Sequence, residues 1–133
     1  MKIEHIALWT NQLEKMKKFY VNWFSGTASN KYLNDKTGFK SYFIDFMSGS
    51  RLEIMQKQDI PENSNDTVHK QHIGLIHIAF GVDTMEEVDS MAIKMKSAGL
   101  RVLRGPRKTG DGYYEFETLD PDNNRLEITS VFR

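Results

Sequence analysis

Apolar and polar residues alternate from the start of the chain: Ile6 and Leu8 fall on one side of an extended segment, His5, Ala7 and Trp9 on the other. A period of two predicts a strand with one buried face. The period then lengthens. Leu13, Met16, Tyr20 and Trp23 recur at helical spacing, Asn11 and Glu14 have the spacing of a capping box, and Gly26 marks the end. Three further strands are predicted at Thr27–Leu33, Phe39–Phe46 and Ser50–Gln56, with turns at Asn34–Gly38 and Ser48–Gly49. The second half runs through the same order. Leu75–Val82 predicts a strand and Thr84–Ala98 a helix, with Thr84 and Glu87 as capping box, an apolar stripe of Met85, Val88, Met91, Met95 and Ala98, and Gly99 as the stop. Strands near Leu100–Leu103, Tyr113–Leu119 and Arg125–Val131 complete it, the last two joined by the turn-forming run Asp120–Asn124.

The pattern is therefore α+β, two β-α-β-β-β units at residues 1–56 and 73–133 within one domain spanning 1–133. The polar connector Lys57–His72, with Pro61 and several Asn, Ser and Asp residues, reads as a loop or arm. Short phrases repeat along with the pattern. His5-Ile6-Ala7-Leu8 returns as His77-Ile78-Ala79-Phe80, and Arg51-Leu52-Glu53-Ile54 as Arg125-Leu126-Glu127-Ile128. The Glu follows the His by 48 residues in the first half and by 50 in the second.

Strand parity separates these residues into two faces. Ile6, Leu8, Leu52, Ile54, Ile76, Ile78, Phe80, Leu126 and Ile128 share one face, expected to pack under the helices; His5, Arg51, Glu53, His77, Arg125 and Glu127 share the other. Such a polar set would cost several kcal/mol if buried dry and unpaired, so it is expected to line a wet or metal-filled cavity. One imidazole and one carboxylate from each unit can make a four-ligand site, His5, Glu53, His77 and Glu127, at a pseudo-twofold axis.

Composition narrows the setting. The 133 residues are 39% hydrophobic and 11% aromatic, as expected of a folded globular chain. Eighteen basic and eighteen acidic residues cancel, so bulk charge favours neither a nucleic-acid nor a membrane partner. Without cysteine there is neither a disulfide nor a thiolate ligand. No apolar run approaches a membrane span and the chain opens directly on a strand pattern, which predicts a cytoplasmic protein.

The repeated units, with His on the first strand, Glu on the fourth and Asp120-Pro121-Asp122 before the last, resemble the vicinal oxygen chelate (VOC) superfamily, in particular its glyoxalase I (lactoylglutathione lyase) members. The resemblance covers essentially the whole chain. It implies an eight-stranded, cup-shaped mixed sheet with helices outside, a homodimer whose units pair within a chain or between chains, and one divalent metal on His5, Glu53, His77 and Glu127. This N2O2 donor set suits Zn, Ni, Co, Fe or Mn. The activity implied is that of a lyase or isomerase: proton transfer through an enediolate on an α-hydroxycarbonyl or thiol-adduct substrate, with Glu127 as first candidate base and Glu53 opposite it. An antibiotic-resistance thiol transferase, a dioxygenase and a non-enzymatic drug-binding protein are the alternatives within the superfamily. The first two should tolerate loss of Glu53, and the drug-binding members typically lack the four ligands.

Residues that would touch substrate are Trp9, Arg51, Lys108 and Arg125. Bacterial glyoxalase I commonly has Arg where this chain has Trp9 and Asn where it has Lys57, whereas Gly105-Pro106-Arg107-Lys108 resembles the loop whose Lys approaches a glutathione carboxylate. Arg51 and Arg125 can equally be exposed strand cations or orient the two glutamates. The connector's His69 and His72 read as solvated, the basic run Arg101, Arg104, Arg107 and Lys108 as a solvated surface more often than an anion clamp, and the Met-rich second helix as core packing.

Overall fold

In the computed structural model, which describes residues 1–132, the chain divides into two compact units, Met1–Asn63 and Ser64–Arg133. The first contains β1 (His5–Trp9), α1 (Leu13–Phe24), β2 (Thr27–Ala28), β3 (Tyr32–Asn34), β4 (Phe39–Asp45) and β5 (Arg51–Gln56). The second contains β6 (His77–Gly81), α2 (Met85–Ser97), β7 (Val102–Lys108), β8 (Tyr113–Leu119) and β9 (Arg125–Val131). Each unit is a mixed sheet because its first strand pairs parallel with its last, β1 with β5 and β6 with β9, while the remaining pairs are antiparallel. A parallel pair needs a long crossover, and the helix supplies part of it in both units. The α+β arrangement of paired β-α-β-β-β modules is the one the sequence pattern predicts.

In the first unit α1 lies on the sheet and buries Leu13, Met16, Phe19 and Tyr20 against Tyr42, Ile44, Leu52 and Ile54 on the helix-facing side. Its start differs from expectation. Gln12, not Asn11, is the N-cap, and Glu14 does not fold back to close a capping box. Its carboxylate accepts instead from the Tyr42 hydroxyl at 3.0 Å and pairs with Lys17 and Lys31. The helix ends with Ser25 in the left-handed region (φ 54°), so Gly26 is not the residue that reverses the chain. Gly26 serves packing: a Cβ there would lie 2.4 Å from Ile44 Cγ2.

The expected strand Thr27–Leu33 is broken into β2 and β3, giving nine strands in place of eight among the described residues. Ser29 is responsible. Its Oγ accepts the Phe43 N–H at 3.0 Å, occupying a position where a backbone carbonyl would continue the ladder.

In the second unit α2 has the predicted capping box. Thr84 Oγ1 accepts from the Glu87 N–H at 3.2 Å, and Glu87 Oε2 accepts from the Thr84 N–H at 3.0 Å. Val88, Ala92 and Met95 are buried over β7, β8 and β9, whereas Ala98, expected on the apolar stripe, is the exposed C-cap. The core beneath is Phe116, Leu126 and Ile128, each fully buried. At the β8–β9 turn Asp120 Oδ1 accepts from the Asp122 and Asn124 N–H groups, both at 2.9 Å. Among the described residues no helix is long and apolar enough to cross a membrane.

Candidate metal centre

The register of each parallel pair brings an imidazole to a carboxylate. His5 stands opposite Arg51 and Ala7 opposite Glu53, so His5 and Glu53 are diagonal neighbours on one face, with His5 Nε2 3.7 Å from Glu53 Oε2. In the second unit His77 stands opposite Arg125 and Ala79 opposite Glu127, and His77 Nε2 lies 3.2 Å from Glu127 Oε2. The exposures match as well. The imidazole side chains are 38% and 37% exposed, their carboxylate partners 15% and 14%. Both units thus hold an accessible ring nitrogen over a mostly buried carboxylate.

In the first unit the Glu4 carboxylate pairs with Nδ1 of His5, and Nε2 on the other side of the ring faces Glu53. A carboxylate on the far ring nitrogen is the usual way a ligating histidine is held in orientation. Glu4 also pairs with Arg51, and these two contacts, that with His5 first, hold its carboxyl below the ordinary range. Arg51 in turn lies over the Phe43 ring, 4.1 Å from its centroid.

Beyond the His–Glu pair the two units diverge. The residue directly across from Glu53 is Phe43, which also meets His5 edge-on at 5.4 Å. The residue directly across from Glu127 is Glu117, and Glu115 stands one same-face position further along β8. One carboxylate oxygen from each of Glu115, Glu117 and Glu127 lies within 4.8 Å of the other two. Three arginines answer this charge. Glu117 accepts from Arg104 through Nε at 3.1 Å and through Nη2, and from Arg125 Nη1 at 2.9 Å; Glu115 accepts from Arg107 Nη2 at 2.9 Å. Burial raises the proton affinity of Glu117, but its arginine partners outweigh this and bring it below the ordinary value. Glu127 moves the other way. Burial first, then repulsion from Glu115 and Glu117, raise it against the pull of His77 and Arg107.

Arg104 and Arg107 do not form a merely solvated surface, and Gly105-Pro106-Arg107-Lys108 is not a loop. All four residues lie within β7. The ladder slips there, so Arg104 pairs with Glu117 and Arg107 with Glu115: three steps along β7 match two along β8. Residues three apart on a regular strand face opposite sides, and the bulge returns Arg107 to the face of Arg104. Gly105 makes this possible. Its φ is +85°, and a Cβ would stand 2.5 Å from the Glu115 carbonyl oxygen.

The other expected substrate contacts fall in different settings. Trp9 is 42% exposed on the face of His5 and meets Phe39 edge-on at 5.9 Å. Lys108 sits at the end of β7 with its ammonium 4.7 Å from the Phe132 ring centroid. Arg125 is buried and has a structural assignment instead of an open substrate-facing one. Besides Glu117, it donates from Nη2 to the carbonyls of Thr67 and Val68 at 3.0 and 3.3 Å, tying the connector to β9. Thr67 Oγ1 adds a bond to the Asn123 carbonyl at 2.8 Å, and His69 is mainly exposed beside Asp66. Glu115 and Glu117 were legible as residues of the Glu127 face from strand alternation, but nothing in their spacing revealed arginine partners brought in by a bulge.

A model of the Glyoxalase/Bleomycin resistance protein/Dioxygenase superfamily matches residues 2–128. The chain belongs to this superfamily. An uncharacterized protein of Bacillus subtilis (strain 168), YqjT, is 29% identical over 131 residues, covering 96% of this chain and 98% of its own. Solved relatives share the fold at low identity. A glyoxylase/bleomycin resistance protein/dioxygenase domain from Frankia sp. EAN1pec superposes with TM-score 0.79 at 17% identity, covering 99% of this chain and 98% of that one. The trypanothione-dependent glyoxalase I of Leishmania major gives 0.75 at 18%, covering 98% and 86%. A glyoxalase family protein from Bacillus cereus gives 0.81 at 10%, covering 100% and 95%.

Glyoxalase-superfamily proteins typically bind a divalent metal, and the His–Glu pairs here fit one. Ligand bonds of about 2.0–2.2 Å meeting at right-angled to tetrahedral geometry place two donor atoms roughly 3–3.5 Å apart. His77 and Glu127 already have that separation, and His5 and Glu53 are close to it. Glu115 and Glu117 fit poorly as ligands, because arginines occupy their oxygens.

Proposed function

We propose that the protein is a metal-dependent lyase or isomerase of the glyoxalase I type, acting on an α-hydroxycarbonyl or thiol-adduct substrate. His5, Glu53, His77 and Glu127 would hold one divalent ion, two ligands from each repeat, in a homodimer of this chain. When bound, the ion supplies Lewis acidity, lowering the pKa of a C–H beside a carbonyl and stabilising the oxyanion that forms. The recurrence of the same His–Glu pair at the same register, with matching exposure, carries this reading. Structural ion pairs at two sheet edges would not require that equivalence.

Glu127 is the residue assigned to take the proton. It is mostly shielded, next to His77, and its proton affinity is raised by burial and by its two acidic neighbours. A base of ordinary carboxylate strength is a weak acceptor near neutrality, and raising its pKa improves the match. Glu53 is its counterpart, set against Phe43 instead of a second carboxylate. The proton removed from one carbon of the substrate would be returned to its neighbour.

Native mass spectrometry tests the metal assignment. Protein stripped of metal and offered Ni, Zn, Co and Mn in turn is expected to take up one ion per four-ligand set, and to lose it in His77→Ala and in Glu53→Ala. Retention of full occupancy in either variant removes the assignment. Turnover of hemithioacetal and α-hydroxycarbonyl substrates by the loaded protein then tests the reaction.

A further inference from the structure

The geometry points to Arg104 and Arg107 as a paired receptor for an anionic oxyacid group, a carboxylate or phosphate, carried by the substrate. As substrate recognition this rests on the metal-assisted reading above; as anion binding it stands alone. The two guanidinium groups are the outward layer of a charged stack. Their side chains are 51% and 36% exposed, while those of Glu117 and Glu115 that hold them are 3% and 10% exposed. The negative charge therefore lies at the base of the sheet face and the positive charge at its solvent side.

Both arginines are fixed in orientation. Glu117 engages Nε and Nη2 of Arg104, and Glu115 engages Nη2 of Arg107 alone, so Nη1 of Arg104 and both Nε and Nη1 of Arg107 are not used by these carboxylates. A fork held by a buried carboxylate loses less entropy on meeting an anion than a free surface arginine does. The bulge at Gly105 aims both at one side, and their partners on β8 are two residues apart, a rise of roughly 7 Å along the strand. That spacing lets one carboxylate or phosphate lie between two guanidinium planes. The same face carries Glu127, directly across from Glu117. An anionic arm gripped at β7 would thus reach toward the proposed base by the width of about two strands, roughly 10 Å.

The test uses the full chain with ¹⁵N-labelled arginine, its Nε resonances followed during separate titrations with inorganic phosphate and with acetate at constant ionic strength. Saturable shifts are expected at Arg104 and Arg107 and not at the exposed Arg101, with affinity falling at least tenfold in R104K/R107K, which keeps the charge but not the fork. Tighter binding of phosphate would assign a phosphate-bearing substrate, and tighter binding of acetate a carboxylate. Shifts that do not saturate, that appear equally at Arg101, or that survive in R104K/R107K with unchanged affinity overturn the proposal. The titration is run on metal-free protein and on His77→Gln, so full metal uptake retained by His77→Gln with intact anion binding condemns only the metal reading. Metal uptake without a saturable arginine response condemns only the receptor.

Discussion

Glu127 and Glu14 show how the same functional group is driven in opposite directions by its neighbours. Glu127 is mostly removed from water and lies near Glu115 and Glu117, which together outweigh the attraction of His77 and Arg107, so its proton affinity rises. Replacing it by Gln should lower turnover roughly 10²–10⁴-fold, the usual contribution of a positioned base. Measured kcat on the best substrate found by screening checks this, and unchanged turnover removes the role. Glu14 is brought down to about 2, first by its bond from Lys31, against burial, and further by Lys17 and the Tyr42 hydroxyl. A lowered folded-state value means that its stabilising contribution is complete above the ordinary value of 4.5 and is lost as pH falls through about 2. Urea unfolding between those limits should show a decline that Glu14→Gln makes shallower. Glu14 is half exposed, so screening by water keeps the effect small and it should shrink in high salt.

Among the elements, the two helices illustrate how tertiary contacts compete with local rules. Asn11 and Glu14 have the spacing of a capping box, yet Tyr42 and Lys31 draw Glu14 onto the sheet side, whereas Glu87 has no such competitor and closes its box with Thr84. Thr84→Ala should therefore cost about 1 kcal/mol by chemical denaturation, while Asn11→Ala should cost much less. In β7 the bulge depends on a residue without a side chain. Gly105→Ala places a Cβ 2.5 Å from the Glu115 carbonyl at a φ of +85°, and should destabilise by roughly 2–3 kcal/mol. It should also disturb the Arg107–Glu115 pair, visible as a changed Arg107 Nε resonance.

For the whole molecule, each unit contributes its own sheet, helix and His–Glu pair, and the second has the additional arginine–glutamate ladder. If the two pairs serve one ion, His5→Ala and His77→Ala should reduce metal content to the same extent although they lie in different repeats. Independent losses, each half of the total, would mean separate sites. Inductively coupled plasma mass spectrometry on dialysed protein distinguishes the two.

The repeat, the element order and the facing of His5, Glu53, His77 and Glu127 were all determined by the sequence itself. They depend on periods of two and 3.6 and on phrases that recur, which are local properties of a chain. Tertiary structure decided matters in which distant residues compete. It split Thr27–Leu33 where Ser29 caps the Phe43 N–H, moved Glu14 from a cap to a sheet contact, and buried Arg125 between Glu117 and the connector carbonyls. It also converted a basic run into an ordered pair of arginines, because the offset of one residue at Gly105 changes which face a side chain occupies. A strand's parity can be counted along the sequence only until a bulge resets it, and the bulge is set by the strand it pairs with.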